Sequence, residues 1–277
     1  MKISYSEFVL ALSNMKRWGP AKVADYVARH GFDLDMCINF LEFEIGPECM
    51  NEFQRSLEAA REDLKCNEVK HIKSISLFDE RFPKKLYEGK EPVVHLFYFG
   101  DISLLSSKCI TVIGTRQPDE DFAEKGYKAA YYFAKKGYTI VSGLALGCDA
   151  IGHRAALDAK GKTIAILPSS LDKVIPTQHR DLAREIVRNG GLVISEYSVT
   201  STMNKFNYPQ RDRIQSLLSS VSIVIQSTDS GGTMIAVRKS LKEGKKVYAI
   251  KGNNLSLIKN YFDATNVGEL SAIEADI

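Results

Sequence analysis

The chain has 277 residues, of which 44% are hydrophobic and 26% charged, with a formal net charge of +3. That balance is the one expected of a soluble globular protein long enough for one large domain and a small one. It excludes a membrane span, since no apolar run approaches the ~18 residues needed, and a secretory signal, since the first residues lack an apolar core. Five scattered cysteines (Cys37, Cys49, Cys66, Cys109, Cys148) without a C-x-x-C pair exclude a disulfide scaffold and point to reduced thiols in a cytoplasm.

Residues 4–65 read as helical throughout. Ser4 or Ser6 caps a first helix whose apolar face holds Phe8, Val9, Leu12 and Met15. Trp18-Gly19-Pro20 ends it, and Pro20 opens a second helix that His30-Gly31 closes. Two more are expected over Leu34–Phe43 and Pro47–Leu64, which gives a small all-helical N-terminal domain over residues 1–66. Charge is unevenly placed. Residues 33–68 hold ten Asp/Glu against three Lys/Arg, and residues 201–251 hold nine Lys/Arg against three Asp/Glu. An anionic partner is therefore expected on the C-terminal side, and the acidic helices read as a structural or protein-binding cap.

From residue 67 the pattern changes. Val69–Ser74 and the aromatic-rich run Val93–Gly100 suit strands. From Ile110 short β-branched runs alternate with helical periodicity. Strands are expected at 110–114, 139–142, 163–167, 192–195, 221–226 and 246–250. Helices are expected at about 120–136, 148–160, 177–189, 211–219 and 233–243. Such crossovers demand a mainly parallel sheet with helices on both faces, so residues 67–277 are expected to form an α/β, extended Rossmann-like domain.

Three turns in this region carry chemistry. Gly114-Thr115-Arg116 follows the first core strand. Its glycine lets a ligand approach the backbone, and its arginine offers a planar fork to phosphate. It is not G-x-G-x-x-G, and no P-loop occurs, so a dinucleotide enzyme or a P-loop NTPase is not expected. Ser142-Gly143-Leu144-Ala145-Leu146-Gly147 is a second close-approach turn. Cys148, Asp149 and His153 follow it but do not make a catalytic triad, because Cys148 and His153 lie five apart on a helix and do not face one another. No zinc spacing is present. Ser230-Gly231-Gly232-Thr233 opens a helix with the small residues that anion binding favours. Between these, Lys205 to Arg213 is the densest basic–aromatic cluster, with cations to neutralise phosphates and aromatics to stack bases.

The order GTR, SGLALGCDAIGHRAAL, ISEY, YPQRDRI, SGGTMIA and VYAIKG resembles the DprA/Smf family of DNA-processing proteins, and the resemblance covers nearly the whole chain. It implies a non-enzymatic protein that binds single-stranded DNA, protects incoming DNA and hands the strand to a RecA-type recombinase during natural transformation. It also implies a homodimer formed through the Rossmann-like domain, and neither cofactor nor metal. By motif position, Gly114, Thr115, Arg116, Gly143, Leu144, Lys205, Tyr208, Arg211, Arg213, Ser230, Gly231 and Gly232 would contact nucleic acid. Arg116 would grip phosphate and Tyr208 would stack a base. This chain departs from the family in Thr115, in Tyr208 for the usual Phe, in Asp212 within the R-x-R run and in Lys251, and no C-terminal winged helix is seen. A divergent paralogue in a mobile or defence element is an alternative. So is a sensor that binds a nucleotide signal. The related phosphoribohydrolases place a catalytic Glu where this chain has Ala236.

Overall fold

The helical opening is built from caps and stripes. In the computed structural model, which describes residues 3–277, α1 (Tyr5–Asn14) starts in a reciprocal capping box between Ser4 and Glu7. α2 (Pro20–Arg29), α3 (Leu34–Ile45) and α4 (Pro47–Val69) follow, with Pro20 and Pro47 in first turns that need no proline N–H. Helix α4 outruns the expected end at Leu64. Its last turn is held by Asn67, whose Nδ2 donates to the Asp63 carbonyl and to Ser198 Oγ at 2.7 and 2.8 Å. The turn that follows uses Lys70 and His71, the latter at φ +58°, so the expected strand at 69–74 lies instead at β1 (Lys73–Ser76).

Next come α5 (Lys84–Tyr87), β2 (His95–Gly100), β3 (Cys109–Ile113), α6 (Glu120–Lys135), β4 (Thr139–Ser142) and α7 (Cys148–Asp158). They are followed by β5 (Thr163–Ile166), α8 (Arg180–Arg188), β6 (Leu192–Ser195), α9 (Asn207–Leu218), β7 (Val221–Val224) and α10 (Thr233–Lys242). The chain closes with β8 (Lys246–Ile250), β9 (Asn260–Phe262) and α11 (Val267–Glu274). The six core strands and their helices stand where the periodicity puts them, with two shifts. A short 3₁₀ turn over Thr177–His179 precedes α8, and α9 starts four residues before the expected position 211 because Pro209 is tolerated inside a first helical turn. Strand β9 and helix α11 were not expected: three residues are too few to show alternation.

Among the described residues, nine strands form one sheet in the order β1-β2-β6-β5-β4-β3-β7-β8-β9. The β1–β2 and β2–β6 pairings are antiparallel and the others parallel. Alternation along the strands separates the two faces. Ile164 and Ile166 of β5 join a core with α1–α4 and α9, while Ala165 between them joins α8. Ile110 and Val112 of β3 join α6, α7 and α11, while Ile113 joins α10. The helical unit therefore shares its core with the sheet, and the mainly parallel, two-faced Rossmann-like arrangement is present. Strands β4, β5 and β6 lie to one side of β3 and β7, β8 and β9 to the other. The connections after β3 and β7 part company there, which leaves a crevice at the carboxyl edge.

One buried histidine has no hydrogen-bond partner among the described residues. His95 on β2 is 5% exposed, neither ring nitrogen has a hydrogen-bond partner, and burial pushes its pKa down to about 3. In the unfolded chain the same imidazole takes a proton below about 6.5. The unfolded state is thus favoured as pH falls from about 6.5 towards 3. His95→Leu, which fills the site without a titrating group, should be at least neutral at pH 8. Its advantage over wild type should grow by about 1.4 kcal/mol per unit below pH 6.5. Urea unfolding followed by the fluorescence of Trp18 at pH 8, 6 and 5 reads this, and a pH-independent difference would refute it.

Candidate nucleic-acid interface

Three strand-end turns are laced together at the crevice. Thr115 N–H donates to the Gln226 carbonyl at 2.8 Å, which ties the turn after β3 to the one after β7. Cys148 N–H donates to the Thr115 carbonyl at 3.1 Å, which ties in the turn after β4. Gln226 and Asp119 exchange two further bonds: Asp119 N–H to Oε1 at 2.8 Å and Gln226 Nε2 to Oδ2 at 2.6 Å. The contact at Gly147 admits no side chain, since a Cβ there would lie 2.5 Å from the Arg116 backbone and its φ is +74°.

Between the turns lies a cavity of about 530 Å³. Its walls include Gly114, Thr115 and Arg116 from the first turn, Gly231, Gly232 and Thr233 from the N-terminus of α10, and Tyr208 and Arg211 from α9. Helix α10 has no side-chain cap at Gly232, and although the Met234 and Ile235 N–H groups donate to the Gly231 and Gly232 carbonyls, the positive end of its dipole faces the cavity with no side chain over it. At the mouth, the exposed Arg116 guanidinium lies 5.9 Å from the half-buried Tyr208 ring. That pairing leaves the fork free of any carboxylate among the described residues.

The register of α9 decides which of its residues see the cavity. Tyr208, Arg211, Asp212 and Gln215 follow i, i+3, i+4, i+7 spacing and all line it. Arg213 points elsewhere. It is buried, makes an ion pair with Glu196 at 2.5 Å, and donates to the carbonyls of Glu91, Pro92 and Gln210. The sequence expectation that Arg213 contacts nucleic acid is corrected here: on a helix Arg213 lies two residues and about 200° round from Arg211, so with Arg211 on the cavity side Arg213 falls on the protein-facing side.

Arg211 lines the cavity but is itself 6% exposed. Its Nη1 donates to the Ile166 carbonyl at the end of β5 at 3.0 Å, and its Nε sits 2.9 Å from Asp212 Oδ1, off the N–H axis, as a charge contact. Asp149 accepts from Gly143 and Ala145 N–H at 3.1 and 3.2 Å. Burial pushes the carboxyls of Asp149 and Asp212 upward, and the Arg211 charge opposes that push in both. Asp212 is therefore matched by its neighbour, not bare beside a ligand.

The other expected residues are spread around this centre. Gly143 lines a small adjoining cavity of about 70 Å³ with Arg116, Tyr208 and Arg211. Leu144 is fully buried at φ +60°, and its carbonyl accepts from His179 Nδ1 at 2.7 Å, so it is a plug under the turn. Lys205 and Ser230 are exposed beyond the cavity wall. Phe206 of the basic–aromatic cluster is 69% exposed beneath the Lys205 ammonium, and Thr228 lines the cavity, whereas sequence reasoning passed over Gln117, Gln226 and Ile235 in the cavity wall. The position of Gln226 just past β7 was the available signal. The Cys148 thiol, which burial pushes up to about 12, and His153, which burial holds near 3 and which contacts Thr163 Oγ1, face different partners.

If Arg213 is structural, Arg213→Met leaves Glu196 uncompensated and should cost about 3–5 kcal/mol of stability. Arg116→Met, on an exposed side chain, should change stability by less than about 0.5 kcal/mol. Thermal and urea unfolding of the two variants distinguish these roles, and equal stabilities would assign Arg213 to the ligand side instead.

Comparison with known proteins bears on family and fold. The family described as DNA recombination-mediator protein A matches residues 73–266. The DNA processing protein DprA of Bacillus subtilis is 31% identical over 183 residues, 66% of this chain and 61% of the relative. Protein Smf of Synechocystis is 33% identical over 176 residues, covering 62% of this chain and 44% of that one, so the match spans about half to two thirds of these relatives. The crystal structure of DprA from Streptococcus pneumoniae superposes with a TM-score of 0.66 at 26% identity, over 99% of this chain and 88% of that one. A structure of DNA processing protein A from Helicobacter pylori, described for its single-stranded DNA binding mode, superposes at 0.65 and 29% identity over 74% and 98% of the two chains. With the profile spanning most of the sheet and the fold agreeing over the full length, the chain belongs to the DNA recombination-mediator protein A family, that of the DprA and Smf proteins.

Proposed function

We propose that this protein binds single-stranded DNA without catalysing a reaction on it, in the crevice at the carboxyl edge of the sheet. The observation that carries this reading is the pairing at the mouth of the cavity. Arg116 offers an unpaired fork to a phosphate, Tyr208 offers a flat face to a base, and the uncapped N-terminus of α10 sits opposite. The H. pylori relative's single-stranded DNA binding mode supports the choice of ligand. Gly114, Thr115, Gly231 and Gly232 would bring backbone to phosphate, and Lys205 with Phe206 would extend the grip outside the cavity. The non-enzymatic reading is supported by Ala236, a methyl group in the cavity wall where a hydrolase of this class needs a carboxylate.

In this proposal residues 67–277 are the DNA-binding unit and residues 1–66 the helical unit. The protein acts in the cytoplasm as a homodimer built through its Rossmann-like domain, shields incoming DNA and passes the strand to a RecA-type recombinase. Binding through phosphate is sequence-tolerant and falls with salt.

Fluorescence anisotropy with a labelled 30-nucleotide strand over a salt series tests the reading. Wild type should bind single strands more tightly than duplex, and Arg116→Glu should bind at least about tenfold more weakly. Tyr208→Ala should lose about 1–3 kcal/mol, one stacked base. Absence of single-strand binding at low salt, with a mononucleotide binding tightly in the same cavity, would replace this reading with that of a nucleotide-signal sensor.

A further inference from the structure

A second cavity, of about 180 Å³, lies along the same edge of the sheet. Its walls come from the β5–α8 connection (Ser169, Lys173) and the β6–α9 connection (Tyr197, Thr200, Thr202), with Asn207 at the start of α9. The small cavity that Arg116 and Tyr208 share with Gly143 bridges the gap, and Ile175 lines both it and the second cavity. In the sheet order β6-β5-β4-β3-β7, the first cavity stands over β4, β3 and β7 and the second over β5 and β6. Five neighbouring strand ends span about 19 Å at about 4.8 Å per step. That is room for several nucleotides, not one.

The electrostatics of the second cavity are arranged around a single free cation. The carboxylates beside it are occupied: Asp172 by Lys70 Nζ at 2.5 Å and Ser170 Oγ at 2.7 Å, and Glu196 by Arg213. Asp63 accepts from the hydroxyls of Ser198 and Thr200. Lys173 is exposed and has no carboxylate partner among the described residues. The Ser169, Ser170 and Thr200 hydroxyls donate to the Lys173 carbonyl, Asp172 and Asp63, so the donors left open to the hollow include the Ser201 and Thr202 hydroxyls and the Lys173 ammonium, a set that suits a phosphodiester group and offers nothing to an apolar ligand.

We infer that Lys173 and the hydroxyl-lined hollow form a second backbone-phosphate subsite, so that a single strand runs along the carboxyl edge from α10 past Tyr208 to the β6–α9 connection. This rests on the proposal that the first cavity takes DNA. The test measures anisotropy of a labelled dT20 strand and of a labelled trinucleotide, across 50–200 mM salt, for wild type, Lys173→Ala and Arg116→Glu. Lys173→Ala should weaken dT20 by about fivefold at 0.1 M salt and lower the salt slope by about 0.7, the loss of one phosphate contact. It should leave the trinucleotide, which fills the first cavity, unchanged. An unchanged affinity and slope for dT20 in Lys173→Ala, while Arg116→Glu still weakens it, overturns the second subsite and leaves the first standing. Failure of wild type to bind either strand overturns the first reading and this one with it.

Discussion

The buried guanidinium of Arg211 is the constraint on which the rest of the crevice depends. It bonds the last carbonyl of β5, lies against Gly143 so closely that a Cβ there would sit 1.4 Å from Nη1, and balances Asp212 and Asp149. A charge so deep in the fold needs this many partners to offset its lost hydration. In meeting that requirement it fixes α9 against the turn after β4, and Asp149 in turn holds that turn through two backbone N–H groups. The shape of the cavity is thus set by an ion that a ligand scarcely reaches, while the exposed Arg116 remains free to meet one.

Helix α9 then divides its charges by rotation. One face turns Tyr208, Arg211, Asp212 and Gln215 to the cavity, and the opposite side sends Arg213 to Glu196 and to the chain just before β2. Thr111 of β3 adds a bond from its hydroxyl to the Gln215 carbonyl at 3.0 Å, which pins the helix along its length. Two arginines separated by one residue in sequence therefore have different tasks: Arg211 shapes the cavity wall, and Arg213 joins the helix to the antiparallel side of the sheet.

Much of this was legible in the sequence. The alternation of β-branched runs with amphipathic segments specified the parallel core, because each strand is buried on both faces and each helix on one. The glycine turns after β3 and β7 were legible for the same reason that they function: a strand, a tight turn and a helix N-terminus leave a recognisable mark. What could not be read was rotation. Arg211 and Arg213 lie on opposite sides of α9, so only one of them can line the cavity, and which one is decided by the packing of the helix on Glu196 and the chain before β2. Leu144 was misleading in another way, since a leucine at positive φ is an exception that only the packed turn enforces. The short pairing of β9 was invisible because its three residues take their order from β8.

The end of α4 has a consequence for how the two parts of the chain communicate. Asn67 bonds Ser198, and Lys70 pairs with Asp172, so the last turn of the helical unit and the residue just beyond it grip the two connections that follow β5 and β6. The family match begins at residue 73, after both of these tethers. The acidic N-terminal unit is therefore more than a lid on one face of the sheet. It acts as a buttress: two side chains at its end hold the connections after β5 and β6 at the far end of the crevice.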